Sequence, residues 1–292
     1  MRAAVPGWVD PLMRVGYAAR GIVYLLVGAL ALIAARGGGT APDSKGALAT
    51  LMSKPFGTAI LVVIAVGLVA YAAWRCIDAA FDLERKGEQP SGWVARAAQV
   101  ISGLIYLSLA ASVVRLIEHR GSGGDGAESW SAKLMAQPFG RWAVAAVGVA
   151  ALGFAIFEFV SAYRESYRSQ LRYTPLAARL NPIIKFGLIA HGVVVLIIAA
   201  FFFWAAWTAD PSRAGGLGDA LNAVRHAEFG RALLAVLAVG LVSFGVHCFI
   251  EAVYRIVPRC SPPDLQTLAI QARAMQRNAS AAVTSSLHRL SR

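Results

Sequence analysis

Apolar positions in this 292-residue chain gather into six long blocks instead of alternating with polar ones. The blocks cover approximately 15–35, 57–80, 97–117, 140–163, 183–207 and 230–257. At 1.5 Å per residue, each is long enough to cross about 30 Å of hydrocarbon as a helix. Three runs hold no charged residue: between Lys54 and Arg75, between Arg96 and Arg115, and between Lys185 and Asp210. Strands facing lipid would alternate, whereas these blocks are continuously apolar and rich in Ala, which suits helices. The predicted class is an all-α polytopic membrane protein with six transmembrane helices.

The blocks repeat in pairs. The odd members align on glycine as Arg14…Gly16…Gly21, Arg96…Ala98…Gly103 and Lys185…Gly187…Gly192. The even members align on Pro55-Phe56-Gly57, Pro138-Phe139-Gly140 and Glu228-Phe229-Gly230. Fourteen positions after each of these glycines stands an aromatic: Tyr71, Phe154, Phe244. A short amphipathic stretch precedes each Phe-Gly. Every unit holds two spans, so the three units share one orientation and the expected pseudo-threefold axis lies along the membrane normal. The predicted organisation is an N-terminal segment 1–13, repeats 14–85, 96–168 and 183–257, and a tail 258–292. The repeated glycines Gly21, Gly103, Gly192, Gly57, Gly140 and Gly230 are read as packing positions, since small residues let helix backbones approach where lipid supplies no hydrophobic drive. Phe-Gly is read as a turn into the helix, with Phe as an interface anchor. The first block ends like a secretory leader, but it is the first copy of the repeat and is expected to be retained.

The threefold pattern of Arg-x-Gly-Tyr-Ala-Ala-Arg-Gly-Ile-Val-Tyr (14–24), Gly-Ala-Leu (46–48) and the Pro-Phe-Gly helix start resembles a bacterial membrane family known as domain of unknown function 1206. The resemblance covers approximately 12–257. It implies three tandem two-helix units in a bacterial plasma membrane, and brings no activity, ligand or catalytic residue. The third unit departs from the pattern: His191 replaces Arg20, Val195 replaces Tyr24 and Glu228 replaces Pro55. A threefold site, if built, is therefore not symmetric.

Composition agrees with a bilayer. Hydrophobic residues make up 57% and charged residues 15%, against about 25% charged in soluble domains. The formal charge of +12 is read through lipid and not through nucleic acid. Sixteen of the 28 Lys and Arg fall on the side of both termini and nine on the other, which predicts cytoplasmic termini. Trp130, Trp142, Trp204 and Trp207 are expected at the outer interface, and Trp8, Trp74 and Trp93 at the inner one. Cys76, Cys248 and Cys260 make no framework.

Ionisable residues inside spans are the candidate polar cluster: Arg20, Arg75, Asp78, Glu158, His191, His247 and Glu251. Arg75, Asp78 and Glu251 are expected near the inner interface, within reach of water. Arg20, Glu158, His191 and His247 lie deeper, and Glu158 is expected to pair with Arg20 or Arg75 or to hold a proton. One reading is a salt-bridge ring that pins helix pairs in register. A second is a proton or small-ion path. A third is a haem protein or other membrane enzyme using His191 and His247. No catalytic or metal-binding signature occurs, so the expectation is a non-enzymatic scaffold or accessory protein without a cofactor. Basic residues Arg164, Arg168, Arg172 and Arg179 in the fourth loop are expected to contact anionic lipid, together with Arg273 and Arg277 of an amphipathic or partly disordered tail. The tail and that loop are also the expected places for a protein partner.

Overall fold

The computed structural model describes residues 7–37, 40–118, 126–172 and 174–257. In chain order the helices are α1 (Val9–Gly37), α2 (Ser44–Met52), α3 (Gly57–Phe81), α4 (Pro90–Ile117), α5 (Ala127–Met135), α6 (Gly140–Arg164), α7 (Pro175–Arg179), α8 (Asn181–Thr208), α9 (Leu217–His226) and α10 (Gly230–Tyr254). Six of them, α1, α3, α4, α6, α8 and α10, are long and apolar enough to cross a membrane. Among the described residues, extended pairing is confined to a bridge between Leu171 and Arg255.

The long helices match the six apolar blocks, with two systematic differences. Helices α1 and α4 begin six or seven residues before their apolar blocks, at Val9 and Pro90. Their first turns carry polar residues, and Pro90 at the first turn needs no hydrogen-bond donor there. Helix α10 ends at Tyr254, where Arg255 turns extended to meet Leu171. The expected terminal segment 1–13 therefore includes the first turns of α1. Its tail counterpart, 258–292 with Arg273 and Arg277, lies outside the described residues.

The Phe-Gly pairs have a steric cause. Phe56, Phe139 and Phe229 all adopt the left-handed conformation, with φ of 60°, 64° and 57°. This reverses the chain between each short helix and the long helix that follows. The next residue must be glycine. A Cβ on Gly57, Gly140 or Gly230 would lie 1.8, 1.9 or 2.0 Å from a carbonyl oxygen of the preceding short helix or its end. The three Phe rings stay exposed at one end of the bundle, where Trp130, Trp142, Trp204 and Trp207 are also exposed. Trp8 and Trp93 are exposed at the opposite end, which carries the start of α1 and the end of α10. Trp74 departs from its expected interfacial place: it is fully buried. We call the end with Val9 and Tyr254 the termini face.

Around the bundle the long helices run α4, α3, α1, α10, α8, α6. The tightest interfaces join α1 with α10, α4 with α3, and α8 with α6, all across different repeats. Each uses the same glycine. Gly21 packs on Phe249 and Gly245 of α10, Gly103 on Ala72 and Arg75 of α3, and Gly192 on Phe159 of α6. The basic residue seven positions earlier reaches the end of the same partner helix. Arg14 donates to the Ala252 carbonyl, Arg96 to the Ala79 and Ala80 carbonyls, and Lys185 lies 3.7 Å from Glu165. These cations sit on orphan carbonyls or the acidic cap at a helix C-terminus, where the dipole favours them.

Within repeats the symmetry fails. In the first, Gly16 lies against the Tyr71 backbone and Gly67 against Ala19. In the third, Gly187 lies against the Phe244 backbone and Gly240 against Ala190. At the equivalent positions the second repeat has Ala98, Phe154, Ala150 and Ile101. All four are exposed, and α4 and α6 do not pack along each other. Two glycines have gained a methyl group and one alanine has become isoleucine, so the close backbone approach of the other pairs is sterically blocked. The bundle is a ring of three two-helix units, open between the two helices of the second. Buried positions accordingly make up 22% of the most apolar window of α4 and of α6, against 50% for α1 and 56% for α10.

Candidate functional site

All six long helices send a side chain to one point about 15 Å from the termini face, at ten or eleven residues' depth along α1, α3, α8 and α10. Arg20 of α1 is the centrepiece, 8% exposed. Its Nε donates to the Tyr106 hydroxyl of α4 at 2.8 Å, and Nη1 donates to the Tyr71 hydroxyl of α3 at 3.2 Å. Tyr106 donates to Tyr24 of α1 at 3.3 Å. The Tyr24 hydroxyl lies 2.8 Å from Nε2 of His191 on α8. Nδ1 of that imidazole lies 2.7 and 2.9 Å from the two carboxylate oxygens of Glu158 on α6. Helix α10 contributes Phe244, whose ring stacks on His191 at 4.0 Å with an interplanar angle of 4°.

The hydrogens assign themselves in one direction. With Glu158 as the acceptor and the imidazole in its neutral form, Nδ1 carries the proton and Nε2 accepts from Tyr24. Tyr24 then accepts from Tyr106, and Tyr106 from Arg20. Every donor points from the Arg20 cation toward the Glu158 anion, an alignment in which each bond polarises the next. The expected direct pair of Glu158 with Arg20 or Arg75 is corrected here: the carboxylate meets His191. Two tyrosine hydroxyls and an imidazole fill the space between the opposite charges.

Arg20 has no carboxylate within ion-pair distance among the described residues, and its Nη2 makes no hydrogen bond among them. The rings of Phe244, Tyr71, Tyr106 and Tyr24 lie 4.9, 5.5, 5.5 and 5.6 Å from its guanidinium carbon. Cation–π contacts are worth about 0.5–2 kcal/mol each. A few of them match the ~2.5–3.5 kcal/mol that insertion scales assign to an arginine at mid-membrane.

The remaining candidates assemble in a second group nearer the termini face. Arg255 binds Glu84 of the α3–α4 connection and Glu251 of α10, and its guanidinium lies 5.0 Å from the Tyr17 ring. Asp78 accepts from the Glu84 amide at 3.0 Å and from Gln99. Burial opposes ionisation of Glu84, but Arg255, Lys86 and Arg75 outweigh it and hold its carboxyl at about 2. Burial likewise disfavours the Arg255 cation, and Glu84, Tyr17 and Glu251 reverse that and raise its pKa. Asp78 and Glu251, expected within reach of water, are instead buried inside the bundle. They sit on packed helix faces rather than on lipid-facing ones. Arg75 is half-buried against Tyr71. His247 lies 3.6 Å from Glu251, and its Nδ1 has no partner among the described residues. The two histidines do not form a site for haem. Both nitrogens of His191 are engaged, and Phe244 fills the space against its face.

Sequence reasoning missed Tyr24, Tyr71, Tyr106, Glu84, Gln99 and Arg255. A signal existed for the first three. Tyr24 and Tyr106 share one repeat position a turn beyond that of Arg20, and Tyr71 stands a turn before Arg75. Of the basic loop, Arg164, Arg172 and Arg179 are exposed, whereas Arg168 is half-buried beside Glu165. Two surface grooves of about 500 and 540 Å³ lie at the far end, one among α2, α4 and the start of α5, the other between α6 and α8. Neither reaches Arg20 or Glu158.

The fold defines a class: a six-helix membrane protein of three tandem two-helix units meeting at a polar centre. The family model described as Domain of Unknown Function (DUF1206) matches three times, at residues 15–82, 87–165 and 186–255. The chain belongs to this family. It is similar to "Uncharacterized protein YxxB" of Bacillus subtilis (strain 168), 32% identical over 252 residues, covering 85% of this chain and 92% of that protein. No solved structure matches it.

Proposed function

We propose that this chain acts without catalysis, as a scaffold or accessory protein of a bacterial plasma membrane with both termini in the cytoplasm. One observation carries the reading: among the described residues, every hydrogen bond of the Arg20, Glu158 and His191 side chains joins two helices. Arg20, Glu158 and His191 hold α1, α3, α4, α6 and α8 together, with Phe244 of α10 stacked against them. Rings of Tyr24, Tyr71, Tyr106, His191 and Phe244 fill the place where an ion path would run. The excess of Lys and Arg beside the termini supports the orientation. Exposed Arg164, Arg172 and Arg179 suit contact with anionic lipid or a protein partner on that side.

The test is proton leak in proteoliposomes beside thermal stability in detergent, wild type against Glu158→Gln. A scaffold gives no leak above empty liposomes and a variant of lower stability. Leak that disappears in a still-folded variant favours a second reading, proton transfer. That reading draws on the one-directional chain from Arg20 to Glu158, whose hydroxyls and imidazole both donate and accept.

A further inference from the structure

The opening between α4 and α6 is written into the sequence. Three small positions that close the first and third units are enlarged in the second, to Ala98, Ile101 and Ala150. The opening faces the polar centre. Tyr24 is half-buried although its hydroxyl partners lie on α4 and α8, the one beside the opening and the other next to α6. Phe154, on the α6 side, stands 6.2 Å from the His191 ring and is itself exposed. Ile101 and Ile105 on α4, with Phe154 and Phe157 on α6, give the opening apolar lips. An occupant therefore needs an apolar body that arrives from the lipid.

The chemistry of its head follows from Arg20. Arg20 is 8% exposed, and among the described residues it lacks a contacting carboxylate and its Nη2 makes no hydrogen bond. Along its hydrogen-bond sequence, the Glu158 carboxylate comes only after Tyr106, Tyr24 and the His191 ring. A carboxylate is the planar acceptor that a guanidinium fork fits best. Depth then selects the carrier. Arg20 lies six residues, about 9 Å, inward from interfacial Arg14. A phospholipid head anchored at the interface does not descend that far, whereas a single-chain acid crosses lipid in its protonated form.

We infer that the opening between α4 and α6 binds a long-chain carboxylic acid, its tail between the apolar lips and its carboxylate on Arg20. The site uses the polar centre's geometry and does not depend on the scaffold reading.

The experiment titrates the full chain in nanodiscs with oleic acid carrying ¹³C at the carboxyl carbon, and separately with methyl oleate and oleyl alcohol. One saturable equivalent is expected, with the carboxyl resonance of an ionised acid. The ester and alcohol should bind roughly 10- to 100-fold more weakly, the worth of a charge-assisted hydrogen bond. Arg20→Gln should erase that preference. Ile101→Trp, at an exposed lip position, should weaken oleate binding whatever the folding of the Arg20 variant. Equal binding of acid and ester overturns the inference, as does oleate binding unchanged by Ile101→Trp. A dimer in the nanodisc that closes the α4–α6 face without saturable oleate binding also overturns it, and assigns the opening to a second copy.

Discussion

Arg20 and Glu158 are opposite charges in one membrane-embedded centre that do not touch; Tyr106, Tyr24 and His191 join them in a single donor-to-acceptor sequence. Tyr24 is the middle of that sequence. Tyr24→Phe should cost about 1–2 kcal/mol of unfolding free energy, since interhelical hydrogen bonds in membranes are modest and Nε2 of His191 loses its donor. The sharper readout is a double-mutant cycle between Arg20→Gln and Glu158→Gln. Coupling present in the parent protein should vanish in the Tyr24→Phe background, measured by denaturation in mixed micelles. Equal coupling in both backgrounds would mean that the charges interact through space alone.

At the termini face, Glu84 ties the first repeat to the third through Arg255. Its carboxyl titrates at about 2 when folded, against 4.5 unperturbed. The unfolded chain therefore binds the proton first as pH falls. Stability from this pair is complete above about 4.5 and is lost progressively down to about 2. Glu84→Gln should remove that acid-dependent loss. It should also destabilise the protein at pH 7 by about 3–5 kcal/mol, the usual effect of stranding one partner of a buried pair. Thermal melts of both proteins across pH 2.5–7, a range set about the shift, supply the comparison.

The three Phe-Gly turns make a graded expectation. Gly140→Ala would place a methyl 1.9 Å from the Leu134 carbonyl oxygen and 2.6 Å from the Met135 Cα, so backbone would have to shift. Loss of several kcal/mol is expected, in line with severe overpacking. Gly153→Ala in the same α6 helix is the control, because nothing lies within 4 Å of the added Cβ. That change should be neutral or stabilise by up to about 1 kcal/mol through helix propensity. Melting temperatures of the pair separate the steric argument from any general cost of substituting α6.

How much of this was legible in the sequence differs by physical cause. Lipid imposes long uncharged helices, so the six spans could be read directly from Lys54–Arg75 and its counterparts. The repeat glycines read as packing positions, and Gly21, Gly103 and Gly192 lie against a helix of another unit. Which partner a charge finds was not legible. Glu158 could reach Arg20 by depth alone; rotation about the helix axis turns it to His191 instead. Glu84 and Arg255 read as parts of a loop and a helix end, because their burial depends on connections folding back over the termini face. The open second unit left a trace at Ala98, Ile101 and Ala150, but an exchange of Gly for Ala carries meaning only once the contact it replaces is known.

That exchange can be reversed. Ala98→Gly, Ile101→Ala and Ala150→Gly together give the second unit the small residues of the first and third at those three positions. Nitroxide labels at Leu104→Cys on α4 and Val147→Cys on α6, both exposed positions, would report the gap by pulsed electron paramagnetic resonance. The background carries Cys76→Ser and Cys260→Ser, which leaves buried Cys248 in place. Helices α1 and α3 pack so closely that a Cβ on Gly67 would lie 2.4 Å from the Ala19 Cβ. The restored second pair should therefore bring α4 and α6 toward an ordinary interaxial distance of about 8–10 Å. The label separation should shorten by several ångströms relative to the parent protein. An unchanged separation would place the cause of the opening elsewhere: α3 and α8, which hold the outer faces of α4 and α6, would then fix the gap by their own spacing, and the side chains lining it would be a consequence of the opening and not its cause.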